Sequence, residues 1–240
     1  MPEYPIFVKL SGLPVLIVGG GKVALRKARG LLECGALVTV LSPEFEPGFE
    51  SLPGITKISR LYAEGWLSQP ANPRWRLVFA ATNNPQANGQ VGTDAAAAGI
   101  FCCRCDDAGQ GEFTGAAIAR RGLITIALST GGASPALAAE MTELLANGIP
   151  QYRLEQAILV DRWRPRILAS MADPLRRQAG LKLLNSADLL RALQEGGIAA
   201  GEQWLSTRIT LAAGTEQQHA NQSQQAQPQS KQLCIQEMDD

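Results

Sequence analysis

Short, wholly apolar runs alternate along the first half of the chain with stretches whose apolar residues recur every three or four positions. That alternation predicts strands and helices in turn. Val15 to Val18 is an uninterrupted apolar run ending in Gly19-Gly20-Gly21, as a strand buried on both faces of a parallel sheet ends at a turn. From Lys22 to Glu33 the residues Val23, Leu25, Ala28, Leu31 and Leu32 fall at helical spacing, and Gly35 stands where a helix would stop. Leu37 to Leu41 reads as the second strand. Strand, glycine turn, helix and strand in about 30 residues describe a right-handed βαβ unit.

The alternation continues with strands expected near Ile55 to Ser59, Leu77 to Ala81 and Ile100 to Arg104. Between the last two, Asn84 is a good helix cap, Pro85 a good first helical residue, and Gly99 a stop after the alanine-rich stretch Asp94 to Ala98. Glu112 to Ala119 and Leu123 to Ser129 read as two further strands joined by Arg120-Arg121-Gly122. After Thr130-Gly131-Gly132-Ala133 the period becomes helical throughout. Ser134 caps and Pro135 begins a helix running to Gly148, and helical spacing returns over Leu154 to Met171, Pro174 to Leu184 and Ala187 to Gln194. From about Gly214 the chain is glutamine-rich with few large apolar residues, so a tail without fixed structure is expected there, and His219, the sole histidine, falls in it.

Charge narrows the functional classes. Lys+Arg and Asp+Glu balance at 22 each in 240 residues, so no overall basic field exists to hold nucleic acid or an anionic membrane. The N-terminal MPEYPIFVKLSG lacks the basic-then-apolar pattern of a leader, and no segment is apolar enough to span a bilayer, which points to the cytoplasm. The five cysteines are irregularly spaced, as reduced thiols are. On a strand, Cys103 and Cys105 share one face and Cys102 the other, so three thiolates would not converge on a metal and core packing is the expected role.

The glycine turn carries the clearest chemistry. Gly19-x-Gly21-x-x-Ala24 fits the dinucleotide fingerprint: Gly19 for the tight turn, Gly21 for approach to a pyrophosphate, Ala24 for close helix-to-strand packing. Amides at the following helix start would face the phosphates. Glu44, in Ser42-Pro43-Glu44 past the second strand, is the nearest candidate for the ribose carboxylate. No arginine stands there for a 2′-phosphate, which favours NAD over NADP, although Lys22 lies in the loop.

The segments PIFVKLSGLPVLIVGGGKVALRKARGLLECGALVTVLSPE, LVFAATNNPQANGQV, IFCCRCDDA and LSTGGASPALA together resemble the precorrin-2 dehydrogenase/sirohydrochlorin ferrochelatase family, the N-terminal module of siroheme synthase, over roughly residues 3 to 205. The resemblance implies an α/β fold: a Rossmann NAD-binding domain over 1–112, a strand and helix segment that dimerises over 113–148, a helical domain enclosing the tetrapyrrole over 149–208, and a glutamine-rich tail over 209–240. It implies a homodimer of the stand-alone form. It places NAD on Gly19, Gly21, Lys22, Val23, Pro43 and Glu44, with Thr82 and Asn83 beside it. The family's carboxylate, usually in Asn-x-x-Asp, falls on Asp106, with Cys103 in the asparagine position.

The implied reaction is oxidation of precorrin-2 to sirohydrochlorin, with iron insertion as a further possibility. Asp106 lies just past a predicted strand, at the edge where ligands of open α/β sheets bind, and a carboxylate there can act as a general base. A capped, solvated turn is the plainer role for Asp106-Asp107. The substrate's carboxylates call for arginines, with Arg104, Arg120, Arg121, Arg162, Arg164 and Arg166 as candidates, and for backbone donors at Thr130-Gly131-Gly132. Two other functions fit the sequence: a dehydrogenase without chelatase activity, and a redox-sensing NAD(H)-binding regulator, against which stands the lack of a DNA-reading helix.

Overall fold

The computed structural model describes residues 3–225, with side chains through residue 209. Five parallel strands form the main sheet: β1 (Pro14–Val18), β2 (Leu37–Leu41), β3 (Ile55–Ile58), β4 (Leu77–Ala80) and β5 (Phe101–Arg104), in the order β3-β2-β1-β4-β5. The order reverses between β1 and β4, and ligands of such sheets bind in the crevice outside the strand ends at that point.

Alternation along each strand builds two cores. Val15, Ile17, Leu77, Phe79 and Cys103 face one layer, which α1 (Lys22–Glu33) covers with Ala24, Leu25, Ala28 and Leu31. Leu16, Val18, Val78, Ala80 and Cys102 face the other, covered by Val91 and Ala95 of α2 (Pro85–Ala97) and by Trp66 and Trp75. Cys102 and Cys103 thus lie on opposite faces, and Cys105 packs on the Cys103 side. α1 ends at Gly35, whose φ of +72° suits glycine and whose N–H bonds the Leu32 carbonyl at 2.8 Å. α2 begins at Asn84, whose Oδ1 accepts from the Gln86 and Ala87 amides, a cap worth about 1 kcal/mol.

The expected strand over Glu112 to Ala119 begins only at Ala117. β6 (Ala117–Arg121) and β7 (Ile124–Leu128) form their own two-stranded sheet. Residues before β6 instead line the β5 edge: the Glu112 amide bonds the Cys102 carbonyl at 3.0 Å and its carboxylate accepts the Cys102 amide at 2.9 Å. Pairing this way satisfies backbone groups that an open edge strand would leave bare. β7 leads into α3 (Pro135–Asn147), capped by the Ser134 hydroxyl at the Leu137 amide.

The chain divides into two compact units, Met1–Ile118 with Ala127–Thr142, and Ala119–Ile126 with Glu143–Asp240. In the second, α4 (Gln151–Ser170), α5 (Pro174–Leu183) and α6 (Ala187–Gln225) enclose a core of Leu159, Trp163, Ile167, Met171, Leu184, Leu189, Leu193 and Leu205. Where the pattern predicts a helix ending at Gln194, α6 bends at Gly196 and Gly197, the latter at φ +63°, and resumes. Its backbone stays helical through Gln225, beyond the Gly214 where structure was expected to stop. Alanine, glutamine and glutamate propagate a helix already nucleated by the packed residues before it. The rest of the expected tail, residues 226–240, lies outside the described residues. Among the described residues no helix is long and apolar enough to cross a membrane.

Candidate active site

Three loops meet the carboxyl edge of the sheet near the switch point, following β1, β4 and β5. The first is Gly19-Gly20-Gly21. Gly19 has φ +123°, and a Cβ there would collide with the Ala81 carbonyl; one on Gly20 would collide with the Glu44 carbonyl and Ser42. Both glycines are therefore required by close backbone approach. A bond from the Glu46 amide to the Gly20 carbonyl at 2.7 Å ties the loop after β2 against it, which brings the exposed Pro43 and Glu44 beside the glycine turn.

Gly21 differs in that a Cβ on it would meet nothing within 4 Å. It is the N-cap of α1, makes no side-chain cap bond, and no acidic residue occupies the first turn. Lys22 and Val23 are exposed and Ala24 is buried against the sheet. An open face over uncapped helix amides, with a lysine and no carboxylate, fits a diphosphate. The donor set suits the dinucleotide that the fingerprint predicts.

The second loop is organised by a residue that sequence reasoning missed. Asn88, fully buried on α2, accepts the Thr82 amide at 3.0 Å and the Thr82 hydroxyl at 2.7 Å, and donates to the Thr82 carbonyl at 3.1 Å. Thr82 is pinned, and Asn83 stands exposed next to it. The available signal was a polar residue in the stripe Asn88, Val91 and Ala95 that α2 buries. A second polar residue of that helix, Asp94, accepts from Tyr62, Gly65 and Gln90 and fixes the loop after β3.

In the third loop Asp106 follows β5, but it does not stand alone. The Arg104 guanidinium grips it with both arms, Nε to Oδ1 at 2.9 Å and Nη2 to Oδ2 at 2.8 Å, while Nη1 donates to Gln110 at 3.1 Å. Asp106 stands in the bend two residues past the end of β5, within reach of the Arg104 side chain. Arg104 is only 8% exposed, and each of its three nitrogens donates a bond within the chain. The expectation that it meets a substrate carboxylate is corrected: it positions Asp106. The same guanidinium, helped by an Asn88 hydrogen bond against the opposing effect of burial, holds the Asp106 carboxyl down at about 2. An ionised carboxylate that weakly basic is a poor general base near neutrality.

This pair predicts an acid transition. Because the folded value lies below the ordinary carboxylate value, the pair stabilises the fold at pH above about 4, and the contribution disappears as pH falls through about 2. Asp106→Asn should cost about 1 to 2 kcal/mol near pH 6, a figure reduced for partial solvent exposure. Urea denaturation of both proteins should show the gap closing toward about pH 2 to 3. A constant gap would mean that the ion pair contributes nothing.

Cys103 and Cys105 lie on the opposite side of the sheet from Cys102 and Arg104. A hydrogen bond from the Cys105 thiol holds Cys103 at about 7, with burial opposing and the Lys27 ammonium assisting, while that same bond and burial push Cys105 up. Burial raises Cys102 to about 12. Among the described residues no group of three or more His, Cys, Asp or Glu could hold a metal ion.

The remaining candidates are structurally engaged. At Thr130-Gly131-Gly132 the Gly131 amide donates to Ser129 at 3.1 Å, and the Thr130 hydroxyl accepts the Ser134 amide at 3.0 Å. Ser129 also donates to Glu3, whose second oxygen accepts from Thr114, both at 2.7 Å. In the second unit Arg121 donates to the Ala146 carbonyl at 3.1 Å, Arg120 is exposed on β6, and Arg162 and Arg166 lie at 2.8 and 4.0 Å from Glu202.

Strand order, glycine loop and open helix start define a Rossmann-type dinucleotide-binding protein. In agreement, residues 6–117 match a family described as "Putative NAD(P)-binding". Over most of its length the chain is similar to siroheme synthases. It is 37% identical over 221 residues to siroheme synthase 1 of Aeromonas salmonicida, covering 90% of this chain and 46% of that protein. It is 34% identical over 211 residues to siroheme synthase of Tolumonas auensis, covering 87% and 44%. The chain thus spans about half the length of these relatives. Its fold also matches that of SirC, precorrin-2 dehydrogenase, with a TM-score of 0.67 and 22% identity over 85% of this chain and 100% of that one.

Proposed function

We propose that the protein oxidises precorrin-2 to sirohydrochlorin with NAD. The observation that carries this reading is the convergence of an open dinucleotide loop at Gly21 with a fixed carboxylate at Asp106 on one sheet edge. The similarity to siroheme synthases and the SirC-like fold support it. NAD supplies the hydride acceptor when bound. Gly19, Gly21, Lys22 and Val23 hold its diphosphate, Pro43 and Glu44 flank its ribose, and Thr82 and Asn83, fixed by Asn88, border the reacting edge.

With Asp106 ionised and gripped, the rate arises mainly from holding two reactants in contact, which can supply about 7 to 11 kcal/mol of the barrier. Thr130, Gly131 and Gly132 in the first unit, and Arg120 and Arg121 in the second, are each taken separately as candidates for a substrate carboxylate. The reaction takes place in the cytoplasm, in a homodimer. Leu137, Leu144 and Leu145, exposed at seven- and eight-residue spacing on α3, support pairing of two copies.

The test is turnover of precorrin-2 under argon with NAD+ and NADP+ side by side. Sirohydrochlorin should form with both, with kcat/KM at least about tenfold higher for NAD+, because Glu44 would repel a 2′-phosphate. No conversion with either cofactor would refute the function, and a preference for NADP+ would refute the role of Glu44.

A further inference from the structure

Metal insertion into a tetrapyrrole exchanges two pyrrole N–H protons for one divalent cation, so it needs a group near the ring that can take protons. On the sheet edge the carboxylate that follows β5 is Asp106, linked through Asn88 to Thr82. Resting on the function proposed above, we infer that Arg104 sets reaction specificity, because it closes both oxygens of Asp106 and leaves the chain able to oxidise its tetrapyrrole but not to metallate it.

The geometry supports this at each point. A carboxylate bonded in parallel by Nε and Nη2 offers its best acceptor directions to the guanidinium. A cation approaching it would also meet the charge of Arg104. That guanidinium is not free to swing away: it is buried, and Gln110 holds its third nitrogen. Asp107, whose charge also acts on Arg104, is itself used as a cap, accepting the Gly109 amide at 3.0 Å. A proton arriving at Asp106 would have to break a two-point ion pair, and the carboxyl accordingly stays ionised to about 2.

Three measurements test the inference. First, wild-type protein given sirohydrochlorin and Co2+ or Fe2+ under argon should insert metal no faster than the protein-free control; a rate more than about tenfold above control overturns the inference. Second, Arg104→Met and Arg104→Val should gain insertion at least about tenfold over wild type. Folded variants that gain nothing also overturn it. Third, should neither variant fold, carboxyl NMR of wild-type protein labelled at aspartate decides: the Asp106 resonance should stay ionised to about pH 2. Titration in the ordinary carboxylate range would show that Arg104 does not restrain it. Precorrin-2 oxidation by wild type runs as a control. Its failure would remove the functional reading while leaving the NMR result to judge the Arg104 restraint by itself.

Discussion

Gly21→Asp should abolish NAD binding while leaving the fold intact. The structure separates the three glycines of the turn. A side chain at Gly19 or Gly20 would strike backbone, whereas at Gly21 it would project into open space with nothing within 4 Å. The new carboxylate would stand over the first amides of α1, where it could cap the helix and help the fold. It would also occupy the diphosphate position with like charge. Affinity should fall by at least about 100-fold, equivalent to about 2.7 kcal/mol, as read by NAD+ titration calorimetry, with an unchanged circular dichroism spectrum. Wild-type affinity in the folded variant would remove this loop from the site.

Asn88→Leu should damage both stability and turnover. The side chain is fully buried and makes three contacts with Thr82, two as acceptor and one as donor. Leucine fills similar space but leaves the Thr82 amide and carbonyl without partners. Orphaned buried groups cost about 1 to 3 kcal/mol each, so a loss of about 2 to 4 kcal/mol is expected in urea denaturation. Release of Thr82 should also shift Asn83 and the reacting edge, and a displacement of about 1 Å there is enough for a 100-fold loss of kcat/KM. A stable Asn88→Leu with normal turnover would show that the Thr82 loop positions nothing.

These two positions mark what the sequence made legible and what it concealed. The fingerprint glycines, the Asn84 and Ser134 caps and the Gly35 stop are local signals, set by a few neighbouring residues, and α1, α2 and α3 follow from them. The faces of Cys102 and Cys103 followed from strand alternation alone. Asn88 and Arg104 were harder because their partners depend on how α2 lies on β4 and β5. Arg104 and Asp106 are nevertheless only two residues apart, so their nearness was readable, and what could not be read was the bend at residues 105–106 and that burial and Gln110 would turn the arginine inward. The helical pattern is read only as far as Gln194, yet Gly196-Gly197 serves as a bend, since the core of Leu205 and Ile209 beyond it keeps the helix packed. The stretch Glu112 to Ala116 reads as strand by its pattern, but its pairing with the β5 edge through Glu112 is a tertiary contact that no local pattern announces.

The central claim is that tetrapyrrole oxidation is coupled to the dinucleotide held at the glycine loop. Its most direct test is stoichiometry: precorrin-2 and NAD+ are mixed with the purified protein under argon, and NADH and sirohydrochlorin are quantified from the same samples. One NADH should appear for each sirohydrochlorin, and neither should form faster than the protein-free control when Gly21→Asp replaces the wild type. Sirohydrochlorin accumulating without NADH, or equally fast with the variant, would contradict the account.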